Sequence, residues 1–122
     1  MDILLVEDNE LNRDMLSRRL ERKGFSVRHA EDGEQALAEV DKSIPAVILL
    51  DMNLPVMDGW ETSRAIREKH PGERIPIIAL TAHAMTGDRE KAMQAGCDDY
   101  ATKPVDFKVL LQKIDSLVSD RD

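Results

Sequence analysis

Three stretches of this chain are short, nearly unbroken apolar runs, at residues 3–6, 46–50 and 75–80. Each is too short for a buried helix. Each also lacks the polar alternation of a strand with one wet face. Runs of this kind form strands covered on both sides. Longer segments with a helical spacing of apolar residues separate them, so the pattern alternates strand and helix along the chain. Five strands and five helices are expected, which implies a doubly wound α/β fold with a parallel sheet, helices on both faces and right-handed crossovers.

The connecting segments carry ordinary helix punctuation. Asn9 can cap a first helix running to about residue 23, with Leu11, Met15, Leu16 and Leu20 on one face and Gly24 as its stop. A second strand over 25–30 is followed by Asp32-Gly33 and a helix carrying Ala36, Leu37 and Val40. A loop over 52–59 holds Pro55 and Asp58-Gly59, and a helix over 60–69 ends at Pro71-Gly72. A fourth helix is expected over 87–95. It carries Met85 near its start, then Ala92 and Met93, but few bulky apolar anchors, and Gly96 stops it. Strand five is short, 98–102. Asp106 caps a last helix in which Phe107, Leu110, Leu111, Ile114, Leu117 and Val118 share one face.

At 122 residues, with no linker or repeat, the expectation is a single domain over residues 1–122. The balance of 17 basic against 24 acidic residues leaves a net charge of −7. That argues against direct nucleic-acid binding and against docking on anionic membranes. One cysteine, Cys97, permits no intrachain disulfide and no cysteine-pair zinc site, so a reduced, cytoplasmic setting is expected. No apolar run approaches a membrane span, and the N-terminus lacks the pattern of a secretory signal. The opening methionine favours a stand-alone protein over an excised domain.

In an open parallel sheet, function collects at the carboxyl ends of the strands. Here those ends carry Glu7-Asp8 after strand one, Asp51 after strand three, Thr81 after strand four and Lys103 after strand five. Three carboxylates brought together repel unless a cation compensates, and a hard divalent ion such as Mg²⁺ suits oxygen ligands. Lys103 offers a positive charge to an anion, either Asp51 or an incoming phosphoryl group. Thr81 offers a hydrogen bond to the same anion. This set suits phosphoryl transfer, whose chemistry is mainly positioning and charge neutralisation, with a carboxylate as nucleophile.

The runs Val6-Glu7-Asp8-Asn9, Leu50-Asp51-Met52-Asn53-Leu54-Pro55-Val56-Met57-Asp58-Gly59, Ala79-Leu80-Thr81-Ala82 and Thr102-Lys103-Pro104 resemble those of response regulator receiver domains. The resemblance covers essentially the whole chain, in the family's order and spacing. It implies a flavodoxin-like receiver fold with a five-stranded sheet in the order 2-1-3-4-5. It implies Asp51 as the phosphoacceptor, with Lys103 and Thr81 on phosphoryl oxygens and the backbone N–H groups of Asn53 and Ala82 as further donors. Mg²⁺ would be held by Asp8, Asp51 and the backbone carbonyl of Asn53, with Glu7 acting through water. The Lys103–Pro104 bond would be cis. Thr81 and Tyr100 would switch on phosphorylation, altering the surface of the fourth helix, fifth strand and fifth helix. The implied donor is a sensor histidine kinase or histidine phosphotransfer protein, and the output is an unnamed protein partner. Such a domain is a phosphorelay acceptor and not a turnover enzyme.

Two other classes are weighed against this one. A haloacid-dehalogenase-type phosphotransferase also uses an Asp nucleophile with Mg²⁺, but it needs a second Asp where this chain has Asn53. A flavin-binding module would want aromatic flanks, and aromatics make up 3% of the chain. His83, two residues after Thr81, is a candidate for tuning phosphate lifetime. His29 and His70 read as surface residues, Cys97 and most methionines as packing, and Trp60 as a partly exposed residue beside the acidic site.

Overall fold

The computed structural model of the chain describes residues 2–54, 57–81, 90–91 and 93–119. Strands β1 (Asp2–Val6), β2 (Ser26–Ala30), β3 (Val47–Asp51), β4 (Ile77–Thr81) and β5 (Asp99–Thr102) form one sheet. Its order is β2-β1-β3-β4-β5, and every pairing is parallel. Among the described residues four helices accompany it: α1 (Glu10–Arg22), α2 (Gly33–Lys42), α3 (Gly59–Lys69) and α4 (Phe107–Ser119). The helix expected over 87–95 lies largely outside the described residues, with Met85 and Ala92 among those not described. Met93, which is described, is exposed.

Strand alternation sorts the core into two layers. Successive side chains leave a strand on opposite faces. Leu4, Val6, Ile48, Leu50, Ile77 and Ala79 therefore meet Ala36 and Val40 of α2 and Ile66 of α3 on one side. Ile3, Leu5, Val47, Leu49, Ile78 and Leu80 meet Leu20 of α1 and Leu110 and Ile114 of α4 on the other. The unbroken apolar runs follow from this, because both faces of β1, β3 and β4 are dry. The single face expected for the last helix is the one that packs, with Phe107, Leu111, Leu117 and Val118 around its buried centre.

Two expectations need correction. Leu11 and Met15 were placed with Leu16 and Leu20 on one packed face of α1, yet they are 68% and 55% exposed. The first turns of α1 stand at the rim of the sheet, directly after β1 ends, and the buried line runs instead through Leu16, Ser17 and Leu20. The fourth strand was expected from residue 75 and begins at Ile77. Pro76 has no N–H to give to a ladder, so it joins the sheet only as an acceptor, its carbonyl receiving Ile48 N at 2.8 Å.

Helix α3 fixes the start of β5. The buried Ser63 hydroxyl donates to the Ala95 carbonyl at 2.7 Å. Arg67 donates to the carbonyls of Gly96 (2.9 and 2.7 Å) and Ile75 (2.7 Å) and pairs with Asp98 at 2.9 Å. Gly96 has φ +93°, and a Cβ there would stand 2.9 Å from Arg67 Cγ, so both conformation and space call for glycine. β5 is thus aligned to carry its own C-terminal end, and Lys103 beyond it, to the functional edge.

Candidate functional site

Glu7, Asp51 and Thr81 are each the first polar group met where a buried run ends, and Asp8 and Lys103 lie just beyond strand ends. β1 stops at Val6 and hands the chain to Glu7, β3 ends on Asp51, β4 ends on Thr81, and Lys103 follows Thr102 at the end of β5. The register aligns these ends, pairing Val6 with Leu50, Asp51 with Leu80 and Thr81 with Thr102. The helix N-termini are at the same edge, capped by Asn9, Asp32 and Asp58 through bonds of 3.0, 2.8 and 2.9 Å to the N–H three residues on. Gly59 lets α3 begin hard against the end of β3: a Cβ there would lie 2.6 Å from both Asp51 O and Met52 Cα.

The three acidic side chains come together. Ligand oxygens of Glu7, Asp8 and Asp51 all lie within 4.8 Å of one another. Glu7 and Asp51 are buried and Asp8 is exposed, so the cluster has a dry floor and an open mouth. Lys103 Nζ stands 2.9 Å from Asp51 Oδ2 and 3.4 Å from Glu7 Oε1. The Asn53 N–H donates to Asp51 Oδ1 at 3.0 Å. The Lys103–Pro104 peptide bond is cis. This donor set fits a hard divalent cation, since it offers only oxygen and gathers more negative charge than one lysine offsets.

Protonation follows the same crowding. Burial pushes Glu7 up to about 7, helped by its hydrogen bond to Asp51 and by the Asp51 charge. Burial also works to raise Asp51, but the Glu7 hydrogen bond, then Lys103 and the Asn53 N–H, hold its carboxyl below the usual range. Burial works against the Lys103 ammonium, and the bond and charge of Asp51, followed by those of Glu7, outweigh it and raise its pKa. Below about pH 7 a proton therefore stays mostly on Glu7 while Asp51 is ionised, the state a nucleophile needs.

Thr81 is buried at the same edge, its carbonyl receiving Lys103 N at 2.7 Å. Ala82 and His83 lie outside the described residues. Tyr100 is half-buried on β5, its ring against the core layer shared with α3. Cys97 is buried in hydrogen-bond contact with Ser63, a packing position. Trp60 is partly buried on the same core layer, with the Lys91 ammonium 5.3 Å from its ring centroid. His29 is exposed but bonds Ser17, and His70 is half-buried against Asp41. Reasoning from sequence missed Arg13, whose Nη1 donates to the Glu7 carbonyl at 2.9 Å and ties the acidic turn to α1. An arginine on a helix that also carries Arg18, Arg19 and Arg22 has no pattern that would single it out.

Known proteins are similar over nearly all of this chain. The chain is 42% identical to Hybrid signal transduction histidine kinase I of Dictyostelium discoideum over 95% of its own residues, and spans 7% of that kinase. Among solved structures, it resembles the receiver domain of sensor histidine kinase PA1611 from Pseudomonas aeruginosa PAO1, which has a magnesium ion in its active-site cleft. The TM-score is 0.88 at 41% identity, covering 97% of each chain. It also resembles the receiver domain of Saccharomyces cerevisiae Ssk1, solved in complex with the histidine phosphotransfer protein Ypd1. There the TM-score is 0.89 at 32% identity, covering 93% of this chain and 86% of the other. No helix among the described residues is long and apolar enough to cross a membrane. The family model for the response regulator receiver domain matches residues 3–115, and with the sheet order and the converging strand ends it shows that this chain belongs to that family, the receiver modules of two-component phosphorelays.

Proposed function

We propose that this chain takes a phosphoryl group onto Asp51 from a phosphohistidine of a sensor histidine kinase or histidine phosphotransfer protein, in a Mg²⁺-dependent step. The observation that carries this reading is the environment of Asp51: a buried, ionised carboxylate paired with Lys103 at 2.9 Å and grouped with Glu7 and Asp8. An Asp51 carboxylate oxygen attacks phosphorus. The new P–O bond forms as the P–N bond to the donor imidazole breaks, and the departing nitrogen keeps the electron pair and takes up a proton. Lys103 turns from the carboxylate to a phosphoryl oxygen, and the Thr81 hydroxyl and the N–H groups of Asn53 and Ala82 donate to the others. Asp8, Asp51 and the Asn53 carbonyl would hold Mg²⁺, with Glu7 acting through water, and the ion would supply neutralisation of the charge gathered between phosphoryl group and carboxylates.

The donor is a protein in this reading, and Leu11 and Met15 support that, because they leave apolar surface uncovered on α1 just beyond the acidic turn. The readout is a change at the face made by residues 87–95, β5 and α4, with Thr81 drawn toward the phosphoryl group and Tyr100 turning inward behind it. The fourth helix expected from the sequence, over 87–95, belongs to this face. The test is intact-mass measurement after incubation with acetyl phosphate and Mg²⁺, comparing wild type with Asp51→Ala. One added phosphoryl group on the wild type alone supports the reading. No adduct on either protein, with beryllofluoride also failing to bind, overturns it.

A further inference from the structure

Among the described residues β5 is an edge of the sheet, paired only with β4. Its successive side chains leave on opposite faces. Tyr100 packs on the layer shared with α3, whereas Ala101 packs on the layer shared with α4. A residue of α4 would ordinarily touch only the second set. Lys113 of α4 touches both: its Nζ bonds Asp99 Oδ1 at 2.9 Å and stands 5.2 Å from the centroid of the Tyr100 ring. Its stem therefore wraps the open edge of the sheet, and Asp99 tethers the ammonium against the phenol ring. Both Lys113 and Asp99 keep about a third or less of their side-chain surface exposed, so the ammonium is partly desolvated, where attraction to an aromatic face is strengthened.

We infer that Lys113 is a positioning residue for Tyr100, holding the ring in its resting orientation by a cation–π contact around the edge of β5 and so setting how readily the receiver switches. This rests on the proposed inward turn of Tyr100. In that turn the ring leaves the ammonium, which keeps only Asp99. The contact then stabilises the resting state alone, and whatever favours one of two states weakens ligands of the other by the same factor. Removing the ammonium makes the activated state easier to reach, an effect in the opposite direction to that of damaged packing.

Tyr100 is the only tyrosine in the chain, so fluorotyrosine labelling gives a single ¹⁹F resonance. The experiment is a beryllofluoride titration with excess Mg²⁺, followed through that resonance, for wild type, Lys113→Met and Lys113→Arg. Lys113→Met is expected to reach half-saturation at about two- to fivefold lower beryllofluoride, from the strength of a partly exposed cation–π contact. Lys113→Arg, which retains a cation for the ring, stays near wild type, and all three converge on one resonance at saturation. A midpoint for Lys113→Met equal to or weaker than wild type overturns the inference while leaving the acceptor reading intact. Beryllofluoride that binds, by calorimetry, without moving the wild-type resonance refutes the inward turn and with it the regulatory role of Lys113. Beryllofluoride that does not bind at all refutes the acceptor reading itself.

Discussion

Cation binding at the acidic cluster should release a proton in a pH-dependent way, and Glu7 sets the amount. Its carboxyl is pushed up to about 7, so without a cation it is mostly protonated at pH 6 and mostly ionised at pH 8. A divalent cation favours the ionised form, since three carboxylate oxygens lie within 4.8 Å. Proton release per cation bound should be about nine tenths at pH 6, half at pH 7 and a tenth at pH 8, and apparent affinity should fall about tenfold from pH 8 to pH 6. Calorimetric Mg²⁺ titration in two buffers of different ionisation enthalpy counts those protons directly. Glu7→Gln keeps a donor for Asp51 and removes the titration. It should bind more weakly overall, with release near zero at each pH.

The same proton has a signed effect on folding. A carboxyl with a folded pKa above its unfolded value of about 4.5 stabilises the fold below that value, and the contribution disappears as pH rises through about 7. Without cations, wild type should lose about 2 kcal/mol between pH 5.5 and pH 8 relative to Glu7→Gln, as read from paired urea titrations. Saturating Mg²⁺ should remove most of that difference, because the cation replaces the proton. Proton release near zero in wild type at pH 6, or an equal pH slope in Glu7→Gln, would refute the shared-proton arrangement.

Lys103→Ala should separate two functions of one ammonium. Losing the positive charge 2.9 Å from Asp51 should tighten Mg²⁺ binding several-fold, to the order of 1 kcal/mol. The same variant should accept phosphate from acetyl phosphate more slowly at saturating Mg²⁺, measured by intact mass over time. Gly59→Ala should cost about 1–3 kcal/mol in urea unfolding, because its Cβ meets the backbone of Asp51 and Met52 at 2.6 Å and backbone cannot rotate away. Stability within 0.5 kcal/mol of wild type, an order-of-magnitude margin for a neutral surface change, would mean that α3 can shift without strain.

Much of this was legible in the chain because the rules that carry it are local. An apolar run of five has one consistent reading when both faces of a strand are buried, and the residue after it is then forced to the sheet's edge. Glu7, Asp51 and Thr81 could be placed that way from the sequence, and Lys103 from the order of the alternating elements. The boundaries moved where local rules compete: Pro76 shortened β4 from outside, and Leu11 and Met15 kept a helical spacing with no surface opposite them to bury it. The contacts of Arg13 and Lys113 were not legible. Both are long cations whose partners are a backbone carbonyl and an aromatic face, 6 and 13 residues away in sequence, and neither partner leaves a periodic trace.

The charge at the site explains why such a module needs more than its carboxylates. With Glu7 ionised, three carboxylates against one ammonium leave a surplus of two negative charges, which a single divalent cation cancels. Phosphorylation of Asp51, as proposed, would remove its charge and bring a group that carries up to two. On that reading the neutral site becomes negative again, and the added charge falls at the mouth of the cluster, where the proposed neutral donors are the Thr81 hydroxyl and the N–H groups of Asn53 and Ala82. The proposed movement of Thr81 toward the phosphoryl group is in line with that charge balance. Among the described residues of the neighbouring edge strand, the large side chain facing that core layer is Tyr100, the group proposed to turn inward. In the proposed switch the Lys113 contact comes last, where a small bias on the ring would be felt, by thermodynamic linkage, at Asp51.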